Sequence, residues 1–423
     1  MTAPSKTELE RRGLLVVPGF VDLHAHLREP GFEESETIET GARAALRGGF
    51  TTICAMPNTE PAIDSAALVA ELIAKSAAAG GARVLPIACI TRGRHGAELA
   101  DLVELARAGA VAFSDDGSPV SDSRLFRSAL EYARAADRVV IEHAQDLTLS
   151  GRGVMHEGSV SAALGLPGMP SAAEEVAVAR DLALARLTGA RLHLTHVSTR
   201  GAVELIRQAK AGGLAITADV TPHHLALTDE WVAGSRAFAW EDPQCTVGPH
   251  GAEARHASGG AKDRKETGSP YDPNTKVNPP LRTRADVEAC WAGLRDGTLD
   301  AIATDHAPHA SIRKDVEYQE AAFGIAGLET ALSLLLAGVE AGLAPLDIVL
   351  RALSDGPRRI LGLPADEDWI AIDRTAEWTV DAASLVSKGK NTPLLGRRLC
   401  GRVVLAVVDG KARYDADQVK ALA

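Results

Sequence analysis

Hydrophobic positions along the chain fall into two kinds of run that alternate. Short runs rich in β-branched residues are LLVVPGFVDLH (14–24), FTTICAM (50–56), RVLPIACI (83–90) and AVAFSD (110–115), then RVVIEH (138–143), RLHLTHV (191–197), AITADVT (215–221) and DAIATDH (300–306). Between them lie Ala/Leu/Glu/Arg-rich stretches of helical character such as SAALVAELIAKSAAAG and SRLFRSALEYARAAD, closed by Gly or Asp. Eight buried strands separated by helices predict an α/β fold, a (β/α)8 TIM-like barrel. After SDGPRRILGLP the pattern changes to short strands and turns, IAIDRTAEWTVD and GRVVLAVVDGKARYD, which predict a small β-rich accessory domain built from the chain termini. The expected division is 1–16 as an incomplete N-terminal part of that β-domain, 17–360 as the barrel and 361–423 as its C-terminal part. Residues 235–275 are polar, Gly-rich and aperiodic, and read as a long insert loop.

Bulk properties narrow the partners. A net charge of −11 argues against nucleic acid or an anionic membrane surface. It leaves a small anionic substrate open, because local charge can oppose the total. Cysteines at 54, 89, 245, 290 and 400 stand singly with no CxxC, the pattern of reduced thiols rather than a disulfide framework or zinc finger. The start, MTAPSKTELERRGLLVV, has no long apolar segment, and no run approaches membrane-spanning length. A cytoplasmic protein is expected.

Barrel chemistry sits at the C-terminal ends of the strands. Those ends offer His24 and His26, Asn58, Thr91, Asp115 and Asp116, His143, His196, His223 and His224, and Asp305. Side chains two apart on a strand share a face, so His24 and His26 point together. One His after a strand is ordinarily hydrogen-bonded scaffolding. Leaving His223 and His224 aside, five of eight strand ends carry His or Asp, and in a chain with 13 histidines that is a metal-binding pattern. Four histidines and two aspartates suit two divalent ions that share a carboxylate. Alternation does not choose between Asp115 and Asp116 for that role.

Together GFVDLHAHLREPG, AMPNT, AFSDDG, THVSTRGA, NPPLR and ATDHAPH resemble the dihydroorotases of the bacterial long-chain type, within the amidohydrolase superfamily, from about Gly13 to Tyr414. The resemblance implies reversible closure of N-carbamoyl-L-aspartate to dihydroorotate in pyrimidine biosynthesis, with one or two zinc ions. It implies His24, His26 and Asp305 as ligands of a first metal, Asp116 as the bridging carboxylate, and His143 and His196 as ligands of a second. Arg28, Asn58 and His309 would hold the substrate carboxylate, with His26 also touching substrate. Asn278 and the backbone of Phe323 and Gly324 would contact the ring. Asp305 would act as general base and acid toward a metal-held hydroxide. A homodimer is implied, and a complex with aspartate transcarbamoylase is compatible.

Related hydantoinases and allantoinases bridge their metals with a carbamylated lysine from strand four, and AVAFSDDG offers Asp and no Lys there. A non-catalytic paralogue scaffolding aspartate transcarbamoylase would have lost metal ligands, and all six stand here. Other residues read as structural. His223 and His224 follow Pro222 as supporting or loop residues, and His156, His250 and His256 are expected in solvated loops. Thr91 is expected to cap the following segment, and EPGFEESETIE to form a solvated loop entering a helix, its acids near the positive end of the dipole. Gln145 stands in AQD where the family often has Glu, which removes a charge beside His143.

Overall fold

A computed structural model describes residues 5–241, 268–365 and 367–416. The strands, in chain order, are β1 (Leu15–Pro18), β2 (Phe20–Ala25), β3 (Phe50–Ala55), β4 (Arg83–Ala88), β5 (Ala112–Phe113), β6 (Val139–Glu142) and β7 (Met155–His156). They continue as β8 (Gly168–Met169), β9 (Leu192–Leu194), β10 (Ile216–Val220), β11 (Ala301–Ile302), β12 (Trp369–Thr379), β13 (Arg398–Val408) and β14 (Lys411–Asp415). Eight of them form one parallel sheet in the order β2-β3-β4-β5-β6-β9-β10-β11. Seven lie within the runs read from the pattern, and β2 passes the end of its run by one residue, Ala25.

The sheet closes where its two ends meet. Ala25 and His306 form a parallel bridge, and His26 N–H donates to His306 O at 2.8 Å. Below that bridge the Asp22 carboxylate takes over from the ladder. It accepts from Thr304 N–H at 2.8 Å and from Thr304 Oγ1 at 2.5 Å. The same carboxylate accepts from His24 N–H, which lies in a register break between β2 and β3. Burial raises Asp22 to about 6, against the bonds from Thr304 and His24 that lower it.

Helices cover the outer face because their apolar stripes match it. The helix Ile38–Gly48 starts in a capping box between Thr37 and Thr40 and lays Ala42, Ala45 and Leu46 into the core. That core runs continuously between strands and helices. A second cluster, including Val21, Leu23, Cys54, Ile87, Ile141 and Ala303, is closed by Ile360 and Leu361 of the helix Asp355–Leu361. Burying this much apolar surface is the main driving force for the fold.

The accessory sheet is antiparallel, in the order β1-β12-β13-β14, and so draws on both termini. Here the single run 14–24 splits in two. Gly19 N–H donates to Asp368 O on the accessory side, while Phe20 N–H donates to Gly49 O on the barrel side. Periodicity does not reveal such a hand-over, because both halves are equally apolar.

The expected insert is also partly packed. Phe238 is buried and stacks on Trp231, with ring centroids 6.0 Å apart, and Thr275 is buried on the returning side. Cys245, His250 and His256 lie outside the described residues.

Candidate active site

Six side chains from five strand ends meet in one buried cluster. Asp116 is its centre. Its Oδ2 lies 3.3 Å from His24 Nε2 and 3.5 Å from His26 Nε2. Its Oδ1 lies 3.4 Å from both His143 Nδ1 and His196 Nε2. Asp305 Oδ1 closes the far side, 3.0 Å from His26 Nε2 and 3.4 Å from His24 Nε2. Each oxygen of one carboxylate thus faces its own pair of histidines.

Local backbone decides which side chains arrive. Asp115 and Asp116 are neighbours, yet only Asp116 enters the cluster. The Asp115 carboxylate accepts from Ile90 N–H at 2.8 Å, Thr91 N–H at 3.2 Å and the Thr91 hydroxyl. Thr91 therefore holds Asp115, and its hydroxyl does not cap the short helical segment Arg92–Arg94 that follows. His196 and Asp305 both have left-handed backbones, with φ of 42° and 45°. Such conformations cost about 1–3 kcal/mol and persist at sites that over-determine them. For His196 the over-determining contact is its N–H donating to Asp219 Oδ1 at 2.7 Å.

The bond networks fix which nitrogen of three imidazoles faces outward. Thr195 Oγ1 donates to Asp219, so it accepts from His24 Nδ1–H at 2.9 Å and turns Nε2 toward Asp116 and Asp305. His26 Nδ1–H donates to Asn58 Oδ1 at 2.9 Å. His143 is reversed: its Nε2–H donates to Gln145 Oε1 at 2.7 Å, and Nδ1 faces Asp116. Asn58 keeps its amino group for another partner.

Charge follows the same logic. Burial alone would raise Asp116, but His24, His143 and His196 hold it well below the ordinary range. Asp305 is likewise held down, by His24 and His26 against burial. Burial would lower His24, but Asp116 and Asp305 raise it to about 9. Two carboxylates among four imidazoles in a dry site form a donor set that suits divalent cations. The spacing suits them: a tetrahedral zinc at about 2.0–2.1 Å sets neighbouring ligand atoms about 3.4 Å apart. His24, Asp116 and His196 form one group able to hold an ion, and His24, His26 and Asp305 another.

The cluster opens into a cavity of about 190 Å³ lined by Arg28, Asn58, Asn278, Ala307, His309, Phe323 and Gly324 among others. His309 Nε2 lies 2.8 Å from Phe323 O and 3.3 Å from Arg28 Nη2. One nitrogen cannot donate to the carbonyl and accept from the guanidinium, and the shorter contact makes it a donor. Arg28, anchored by Nε on Pro308 O at 3.1 Å, keeps donor capacity for a ligand. Asn278 Nδ2 donates to Gln145 Oε1 at 2.9 Å, and its buried Oδ1 has no partner. Gly324 has φ 138°, and a Cβ there would stand 2.5 Å from Ala307 Cβ, so only glycine fits. Its N–H donates to Lys276 O.

His223 and His224 sit buried in the short helix Pro222–Ala226, outside both donor groups. Two expected solvated features are interior instead. His156 is buried; burial and then Arg282 lower it to about 4, and its Nδ1 accepts from Arg282 Nη1 at 3.2 Å. Glu36, within EESETIE, is fully buried, facing His306 Nε2 at 3.3 Å and accepting from Lys388 N–H and the hydroxyls of Thr40 and Ser387. The charge pattern misled because Arg282, His306 and Ser387 arrive from segments 126 to 351 residues away. Sequence reading also missed Asp219, Thr195, Lys314 and Asn391. Lys314 Nζ donates to Pro273 O at 2.9 Å and Ala322 O at 2.7 Å, tying the Asn278 loop to the Phe323 loop. Buried polar residues inside AITADVT and RLHLTHV were the available signal for the first two.

A family profile described as Dihydro-orotase-like matches residues 13–202. A protein named dihydroorotase from Anaeromyxobacter dehalogenans is 51% identical over 417 residues, 97% of this chain and 88% of that protein. One from Citrifermentans bemidjiense is 46% identical over 424 residues, 98% of this chain and 92% of its own. Among solved structures, an L-hydantoinase (dihydropyrimidinase) from Arthrobacter aurescens superposes with TM-score 0.76 at 24% identity, covering 96% of this chain and 86% of that one. The last likeness is one of fold. Among the described residues, no helix is long and apolar enough to cross a membrane.

Proposed function

Because the chain belongs to the dihydroorotase family, we propose that it interconverts N-carbamoyl-L-aspartate and dihydroorotate, a step of pyrimidine biosynthesis, as a zinc-dependent cytoplasmic enzyme. The observation that carries this reading is the Asp116 carboxylate, with each oxygen facing its own pair of histidines across from Asp305. An aspartate there, with no lysine in AVAFSDDG, supports this reading over a hydantoinase-like one. His24, His26, Asp305, Asp116, His143 and His196 would hold divalent cations, which would supply an activated water and polarise the ring carbonyl.

The chain's own groups do the rest. Arg28 suits a planar carboxylate through paired donors, joined by Asn58 Nδ2 and by His309 once its Nε2–H exchanges Phe323 O for the ligand. Asn278 Oδ1, buried without a donor, would accept from a ring N–H. In hydrolysis, oxygen from water bonds to the ring carbonyl carbon and the C–N bond breaks. Asp305 takes the water's proton and passes it to the leaving nitrogen. In closure Asp305 accepts a proton from the carbamoyl nitrogen as that nitrogen attacks the side-chain carboxylate, and the departing carboxylate oxygen takes that proton and a second from solvent to leave as water.

The test is turnover of dihydroorotate and of carbamoyl aspartate by purified protein, with metal content measured on the same sample. Turnover that tracks bound zinc is expected. Metal-replete protein that hydrolyses hydantoins and leaves dihydroorotate intact would overturn the reading.

A further inference from the structure

We propose that Asn391, carried by the segment that joins β12 to β13 of the accessory sheet, is the positioning residue for the carboxylate-holding side of the active site. This rests on the reading above of Arg28, Asn58 and His309. Asn391 is 5% exposed and belongs to neither metal-binding group. Its side chain is fully used. Oδ1 accepts from His309 N–H at 2.8 Å, and Nδ2 donates to Ala307 O and Gly324 O, each at 3.0 Å. Two carbonyls and one N–H leave a single way round for the amide. Its backbone carbonyl accepts from Ala326 N–H at 2.9 Å.

One side chain therefore staples the chain leaving β11 to the chain returning at 324–326. Ala307, His309 and Gly324 all line the cavity. The staple is itself anchored. A Cβ on Gly389 would stand 2.5 Å from His309 N and 2.6 Å from Pro308 Cβ, so the segment lies flat on the backbone that carries His309. Two residues earlier, the Ser387 hydroxyl and Lys388 N–H bind the buried Glu36 carboxylate, which also faces His306. The accessory sheet thus reaches the catalytic face through residues 387–391, and every side-chain bond of Asn391 ends on the substrate wall. None ends on a metal-facing side chain.

Asn391→Ala and Asn391→Asp remove both amide donors, and the second also sets a carboxylate against two carbonyls. The expected signature is a rise in KM for dihydroorotate of about tenfold or more, with kcat within a few-fold of wild type and zinc content unchanged. A merely structural role would instead lower kcat, metal content and thermal midpoint together. Gly389→Ala, which presses on the same backbone from the other side, should reproduce the KM rise. An unchanged KM in soluble variants, or loss of kcat with loss of metal, overturns the proposal. Failure of every variant to accumulate as folded protein also overturns it, since the segment would then be a folding element. Inactive wild-type protein would condemn the functional reading instead, so the two failures are distinguishable.

Discussion

Replacing Arg28 by methionine tests the substrate-binding half of the site most directly. The guanidinium lines the cavity beside Asn58 and His309, held by one bond from Nε to Pro308 O. Methionine keeps similar length and loses every donor. Its φ of 64° strains any non-glycine residue alike, so the substitution adds little new backbone cost. The lost bond to Pro308 O affects free and bound enzyme equally and belongs to stability. The lost charge-assisted contact to a ligand carboxylate costs about 2–4 kcal/mol. At about 1.4 kcal/mol per decade, kcat/KM should fall by about 30- to 1000-fold. The carboxylate lies away from the reacting carbonyl and is bound alike in ground and transition states, so the fall belongs mainly to KM. Arg28→Lys keeps the charge without the fork and should lie between. The assay is initial-rate hydrolysis across a substrate range reaching the raised KM, with zinc measured on each sample. An unchanged KM, or a loss carried wholly by kcat, would refute the assignment.

Three further outcomes follow from the geometry. Asp305→Asn should keep the fold but lose turnover in both directions, and retention of more than a few per cent of wild-type rate would remove it as the proton carrier. Asp116→Ala should lower bound zinc far more than Asp115→Ala, whose carboxylate serves the Ile90 and Thr91 amides; a metal titration giving the opposite order would reverse the two roles. Glu36→Gln bears on acid stability. Burial would raise Glu36, but His306 with Ser387 and Thr40 holds it below the ordinary 4.5, so its stabilisation is complete above that value and drains away as pH falls toward the folded one. The variant should show a flatter acid limb in unfolding scans from pH 6 to 3, and an identical limb would mean that the carboxylate is not the group titrating.

Much of this molecule is decided by periodicity. Eight β-branched runs separated by helical ones impose the strand order of the barrel, because each strand needs a covered face on either side. Alternation also carries His24 and His26 to one side, and the strand ends mark where chemistry collects. Direction at individual residues is another matter. Asp115 and Asp116 are indistinguishable in AFSDDG, and only the amides of Ile90 and Thr91, arriving from β4, withdraw the first. His196 turns into the cluster through a left-handed backbone fixed by Asp219, and His143 presents Nδ1 because Gln145 occupies Nε2. Glu36 and His156 look like solvated polar residues in the chain because their partners, His306 and Arg282, come from distant segments. Asn391 is hidden for the same reason, within what reads as a peripheral sheet. Local sequence sets period, caps and element order, since those depend on neighbours a few residues apart. Which polar group is buried, which tautomer it holds and what it faces are settled only when remote segments remove water from it and must supply its hydrogen bonds themselves.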